Sequence, residues 1–213
     1  MTTLRIFEIF YSLQGESSRV GLPTVFVRLT GCPLRCGYCD TEYAFEGGGV
    51  MTVEDILQQV ASYGTQFVCV TGGEPLAQKN CITLLDELVT AGYQVSLETS
   101  GALDISMVNS QVKIIMDIKT PGSGEVHQNR WANLSLLKAG DEVKWVLCSR
   151  EDYDWAKDML DVQPFPAHCE HLFSPSFHEV SGETLASWIL QDQLKVRMQL
   201  QLHKILWGEK QGV

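Results

Sequence analysis

Basic residues are scarce in this 213-residue chain: 16 Lys and Arg stand against 26 Asp and Glu, a net charge of −10. Such a surface repels a phosphate backbone, and the few cations form no patch, so nucleic acid is not an expected partner. No apolar run is long enough to cross a bilayer, and the expectation is no membrane contact. The first residues, Met1 to Glu8, lack the basic start and apolar core of an export signal, so a cytoplasmic location is expected. Seven cysteines are an odd number in such a chain and argue against a disulfide framework. There is no repeat, low-complexity tract or linker, and residues 1–213 read as one domain.

What is present is an alternation of short β-like and helical patterns. Segments 24–30, 67–71, 94–98, 113–119, 142–148, 171–173 and 196–202 read as strands. Between them, Val53, Ile56, Leu57, Val60 and Ala61 follow an amphipathic helical period, with Thr52 as N-cap. Cys81, Leu84, Leu85 and Leu88 repeat it, with Gly92 as the stop. Trp155, Ala156 and Met159, then Leu185, Trp188 and Ile189, mark two more helices. Strand–helix alternation predicts an α/β fold with parallel strands, either an open doubly wound sheet or an incomplete barrel of about six strands with helices outside. Functional loops then belong at the C-terminal ends of the strands.

Three cysteines crowd one such loop, Cys32-x3-Cys36-x2-Cys39. Three thiolates on a four-iron cluster leave one iron open for chemistry, as three protein ligands do on catalytic zinc. The alternative is a zinc knuckle completed by His168, Cys169 or His171. Cys69, Cys81 and Cys148 lie in apolar patterns and read as small core residues. Gly72-Gly73-Glu74-Pro75 follows the next strand, where glycines let backbone approach a ligand closely. The same residues also suit an ordinary strand-to-helix turn.

The cysteine triad, with Tyr38 before its last member, and the Gly-Gly-Glu element together resemble the radical S-adenosylmethionine superfamily. Within it, Ile9-Phe-Tyr-Ser-Leu-Gln-Gly-Glu16, Arg28, Cys39-Asp40-Thr41, Leu97-Glu-Thr-Ser-Gly101 and the C-terminal segment from Leu202 resemble the 7-carboxy-7-deazaguanine synthase family. The likeness runs from residue 5 to the end.

That resemblance implies a partial TIM-like barrel, a 4Fe-4S cluster on Cys32, Cys36 and Cys39, S-adenosyl-L-methionine and Mg2+. It implies reductive cleavage to a 5′-deoxyadenosyl radical, which contracts the ring of 6-carboxy-5,6,7,8-tetrahydropterin in the route to queuosine. Matched by motif, Leu13, Gln14, Gly15, Glu16, Arg28, Thr71 and the Val213 carboxylate meet the substrate, with Arg28 on its carboxylate. Tyr38, Cys39, Asp40, Gly73, Glu74, Glu98, Asp117, Ile118, Lys119 and Lys144 meet the cofactor. Thr41 meets the magnesium ion, most of whose other ligands come from substrate and water. The resemblance also implies a homodimer and an electron donor such as flavodoxin. Many members read Ser-Pro-Lys at Asp117-Ile118-Lys119, and some read Gln-Thr-His-Lys-Tyr at Gln201–Ile205. A glycyl-radical-enzyme activase would share the triad but not the Leu13–Glu16 segment with its strand arginine. A non-enzymatic metal-binding module would have no use for Gly72-Gly73-Glu74.

Overall fold

The computed structural model describes residues 1–213. Nine strands form one sheet: β1 (Thr3–Leu13), β2 (Pro23–Leu29), β3 (Gly49–Thr52), β4 (Phe67–Gly72), β5 (Gln94–Thr99), β6 (Lys113–Ile118), β7 (Glu142–Leu147), β8 (Glu170–Pro175) and β9 (Arg197–Met198). Their order is β3-β1-β2-β4-β5-β6-β7-β8-β9. From β2 through β4 to β9 every neighbouring pair is parallel, while β1 and β3 add to one edge antiparallel. β3 and β9 do not pair, so the sheet is an open, incomplete barrel.

The helices are α1 (Val53–Ala61), α2 (Cys81–Thr90), α3 (Arg150–Val162), α4 (Gly182–Gln191) and α5 (Leu202–Trp207). Thr52 caps α1 as expected, its hydroxyl accepting from Asp55 N while the Asp55 carboxylate accepts from Thr52 N. α2 ends at Thr90, and Gly92 takes φ 88°.

Strand parity divides the molecule into two layers. Val25, Val27 and Leu29, then Val68, Val70, Val95 and Leu97, face α1 and α2 in one apolar cluster. Ile114, Met116, Ile118, Val143, Trp145 and Leu147 belong to a second cluster with Tyr153, Ala156, Leu185 and Ile189 of α3 and α4. Each fully buried Val or Leu contributes about 1.5–3 kcal/mol. The alternate residues, among them Phe26, Arg28, Thr71, Glu98, Asp117 and Lys144, line the concave face.

Three departures from the sequence reading have physical causes. The segment ending Leu13-Gln-Gly-Glu16 is not merely a lead-in, because Thr3–Leu13 is the longest strand. Segment 196–202 is a strand only at Arg197–Met198: Gln199 turns aside to bond Ser17 through both its amide atoms, and Leu202 already begins α5. Cys69 and Cys81 are fully buried, but Cys148 stands just past β7 and is only half-buried.

Candidate active site

The C-terminal ends of β2, β4, β5, β6 and β7 open onto a cavity of about 530 Å³. Its mouth is built by the loop after β2. Cys32, Cys36 and Cys39 are free thiols, each half-buried, and all three border this cavity. Burial pushes their pKa values up, that of Cys36 to about 11. Three half-buried thiols on one cavity wall are donors of the type that hold an iron–sulfur centre, and the Lys119 cation favours their thiolate form. No three His, Cys, Asp or Glu side chains close around a single ion position; the thiols border the wider cavity instead.

The zinc alternative fails on placement. His171 is the second residue of β8, at the other end of the sheet, where its Nδ1 accepts from Trp145 Nε1. Cys169 is buried in the second apolar cluster, and His168 bonds the Leu137 carbonyl. None of the three borders the cavity.

Gly73 is required by close packing: a Cβ there would stand 2.6 Å from Cys32 Cβ. Glu74 N donates to the Gly31 carbonyl, which seats the Gly-Gly-Glu turn against the cysteine loop. The Glu74 side chain turns inward, fully buried. It accepts from Leu76 N at 3.0 Å, Thr99 Oγ1 at 2.9 Å and Ser100 N at 2.7 Å. Its carboxylate joins the ends of β4 and β5 rather than lining the cavity. Ile118 likewise sits on the core face by strand parity. Every other residue named from the motifs borders the cavity: Leu13, Gln14, Gly15, Glu16, Arg28, Tyr38, Asp40, Thr41, Thr71, Gly73, Glu98, Asp117, Lys119, Lys144 and Val213, with the three cysteines.

The charges inside are arranged in pairs. Lys144 binds Glu16, whose carboxylate also accepts from Gln201 Nε2 at 2.8 Å. Burial works against charge in both, yet the pairing prevails: Glu16 is held below the usual carboxylate range and Lys144 above the usual amine range. Lys119 Nζ lies 3.1 Å from Asp117 Oδ2 and 5.6 Å from the centre of the Tyr38 ring. Burial opposes its charge, but Asp117 and then Cys36 raise its pKa. Burial also raises that of Tyr38 well above the ordinary phenol value. Glu98 accepts from Thr71 Oγ1 at 3.0 Å and Gln14 Nε2 at 3.3 Å. Two buried polar atoms here have no partner, Tyr38 OH and Asp117 Oδ1.

At the rim, Thr41 Oγ1 donates to Asp40 Oδ1 at 2.8 Å, and Lys204 Nζ lies 3.6 Å from Asp40 Oδ2. Desolvation raises the Asp40 pKa, but the Thr41 bond and Lys204 outweigh it and bring it below the usual range. A hydroxyl beside a carboxylate fits a cation whose remaining ligands are substrate and water.

The sequence motifs missed Ser176 and Phe177, which border the cavity; Ser100 and His203, inside quoted motifs but given no role there, border it too. His203 packs so closely on Gly15 that a Cβ at Gly15 would lie 2.9 Å from its Cγ. Leu202 N donates to the Gly15 carbonyl, so α5 is docked on the β1–β2 loop. Only the doublet Ser176-Phe177 past a strand end offered a signal for the far wall.

A family model described as the radical SAM superfamily matches residues 26–162, more than half of the chain. The 7-carboxy-7-deazaguanine synthase of Chlorobaculum tepidum is 45% identical over 208 residues, covering 96% of this chain and 94% of that protein. That of Koribacter versatilis is 40% identical over 99% of this chain and all of its own length, 100%. A solved structure, QueE from Escherichia coli, shares the fold with a TM-score of 0.75 over 95% of this chain and 96% of its own, at 22% identity.

Proposed function

The chain belongs to the 7-carboxy-7-deazaguanine synthase family of the radical S-adenosylmethionine superfamily, and we propose that it carries out the corresponding ring contraction. The substrate is 6-carboxy-5,6,7,8-tetrahydropterin, and the products are 7-carboxy-7-deazaguanine and ammonia, a lyase step toward queuosine. The observation that carries this reading is one cavity. It joins the three thiols, the glycine turn and an arginine whose terminal nitrogens donate to no protein group.

Cys32, Cys36 and Cys39 are the residues that hold the iron–sulfur cluster. When bound, the cluster and S-adenosylmethionine would supply a carbon-centred radical for hydrogen abstraction from the substrate. The protein's own residues bind, orient and shield. Gly73 backbone, Tyr38 and Asp40 flank the cofactor, with the unpaired Asp117 Oδ1 of β6 and Lys119 just past its end facing it. Gln14, Gly15 and Thr71 bound the pterin side, and Arg28 receives the carboxylate through charge-assisted bonds. Lys144 and Glu16 balance each other between them, so neither brings an uncompensated charge to the reacting ring. Glu98, fixed by Thr71 and Gln14, faces the same space. Thr41, beside Asp40, is the proposed magnesium position, and Val213, which borders the same cavity, is a proposed substrate contact.

The enzyme works on a small molecule and draws its electron from a reductant; a flavodoxin is the proposed donor, a homodimer the proposed assembly and the cytoplasm the proposed location. No helix is long and apolar enough to cross a membrane. The test is anaerobic incubation with 6-carboxytetrahydropterin, S-adenosylmethionine, magnesium and reductant, followed by mass spectrometry. A product lighter than substrate by one ammonia supports the reading. Intact substrate with a fully loaded cluster removes it.

A further inference from the structure

We propose that Glu8, a residue with no motif behind it, is the positioning residue for Arg28. The inference rests on the reading of Arg28 as the carboxylate receptor. It starts from a defect in the sheet. The β1–β2 register pairs Ile6 with Leu29 but Glu8 with Arg28, so one residue, Phe7, is extra on β1. Regular alternation would put Ile6, Glu8 and Phe10 on one face. The bulge breaks that parity. Ile6 and Ile9, three apart, both pack on the first apolar cluster, while Phe10 turns to the cavity and stacks on Phe26 at 5.0 Å. Glu8 is thereby set directly beside Arg28, on the same face.

The contact made is specific. Glu8 Oε1 accepts from Arg28 Nε at 2.8 Å and from Tyr43 OH at 3.2 Å. The guanidinium lies over the Phe10 ring at 5.7 Å and the Tyr43 ring at 5.8 Å. Carboxylate, phenol and two rings hold the inner edge of the guanidinium, and Nη1 and Nη2 have no protein partner. A flexible arginine becomes a fixed two-pronged donor pointing into the site.

Two effects of Glu8 oppose each other. Its negative charge works against a substrate carboxylate, while its hold on Nε removes the freedom that binding must otherwise quench. Geometry and charge therefore predict different outcomes for Glu8→Gln, which keeps an acceptor and loses the charge.

The experiment measures dissociation constants on the anaerobic enzyme loaded with cluster and S-adenosylmethionine, without reductant so that nothing turns over. The two ligands are 6-carboxytetrahydropterin and tetrahydropterin lacking the carboxylate. Glu8→Ala is expected to weaken the carboxylated ligand about tenfold, the cost of one side chain freed, and to leave tetrahydropterin unchanged. Glu8→Gln restores the affinity, and in an Arg28→Ala background Glu8→Ala adds nothing. Equal loss for both ligands, or additivity with Arg28→Ala, makes Glu8 a structural residue and overturns the proposal. Tighter binding by Glu8→Gln also overturns it, since charge then dominates. If Arg28→Ala alone leaves the carboxylated ligand unaffected, the carboxylate reading of the site falls and this inference with it.

Discussion

At the N-terminal ends of β6 and β7, Asp141 and Glu142 are each 1% exposed, and their carboxylates are fully engaged. Asp141 accepts from Ile114 N at 2.8 Å, Lys138 N at 2.9 Å and Lys138 Nζ at 2.7 Å. Glu142 takes Lys113 Nζ at 2.6 Å and Ser18 N at 3.1 Å. At the opposite end of the sheet, Asp117 Oδ1 on β6 and Tyr38 OH in the loop after β2 are buried with no partner, and the Arg28 fork on β2 is open. An unsatisfied buried polar atom costs about 1–3 kcal/mol. The carboxylates of the floor are thus fully engaged, while Asp117 and Tyr38 on the cavity wall keep polar atoms that a ligand can complete. Substitutions at the open end should remove function with little loss of stability; those at the closed end should do the reverse.

The sharpest break is Cys36→Ala. With two thiols left, the four-iron centre is expected to be lost together with all turnover, read from iron content, the brown absorbance and product yield. Next is Arg28→Ala, expected to raise the KM for the pterin about 10–100-fold by removing a charge-assisted pair, with cluster content and uncoupled S-adenosylmethionine cleavage retained. An unchanged KM would remove the carboxylate role.

The closed end answers with stability. Asp141→Ala strands Ile114 N and Lys138 N in the interior and should cost about 2–4 kcal/mol in denaturant unfolding, while the KM of the folded enzyme stays put. A shifted KM with normal stability would erase the contrast between the two ends.

The smallest effect is a pH dependence at the same end. Burial brings the His171 pKa down to about 4, and its Nδ1 is already an acceptor for Trp145 Nε1, so the folded state holds the neutral ring. The unfolded chain binds the proton more readily below pH about 6.5, so this stabilisation is complete above that value and is lost as pH falls toward 4. Between pH 7 and 5 the loss amounts to about 2 kcal/mol. His171→Phe should flatten the fall in Tm between pH 7 and 5.

What the sequence disclosed, and what it hid, follows the same division. The parallel strands were legible because each carries its core face at every second position, as in Val25-Phe-Val27 or Val143-Lys-Trp145. The cysteine loop and glycine turn were legible because the chemistry needs fixed types at short spacing. β1 was hidden as a strand because the bulge at Phe7 breaks its alternation, and that break is also what turns Glu8 toward Arg28. Segment 196–202 kept an alternating pattern, yet Gln199 serves the distant Ser17, a pairing 182 residues apart that no local pattern records. Glu74 and Ile118 lay within or beside the right motifs, but burial and parity put their side chains on the structural side of the wall.

The most direct measurement is the ratio of 7-carboxy-7-deazaguanine formed to S-adenosylmethionine consumed in the anaerobic, reductant-driven reaction with 6-carboxytetrahydropterin. The account predicts many products per S-adenosylmethionine lost, as expected of a cofactor that would be regenerated at each turnover rather than consumed. Steady loss of S-adenosylmethionine without that product, from protein carrying a complete cluster, would contradict it.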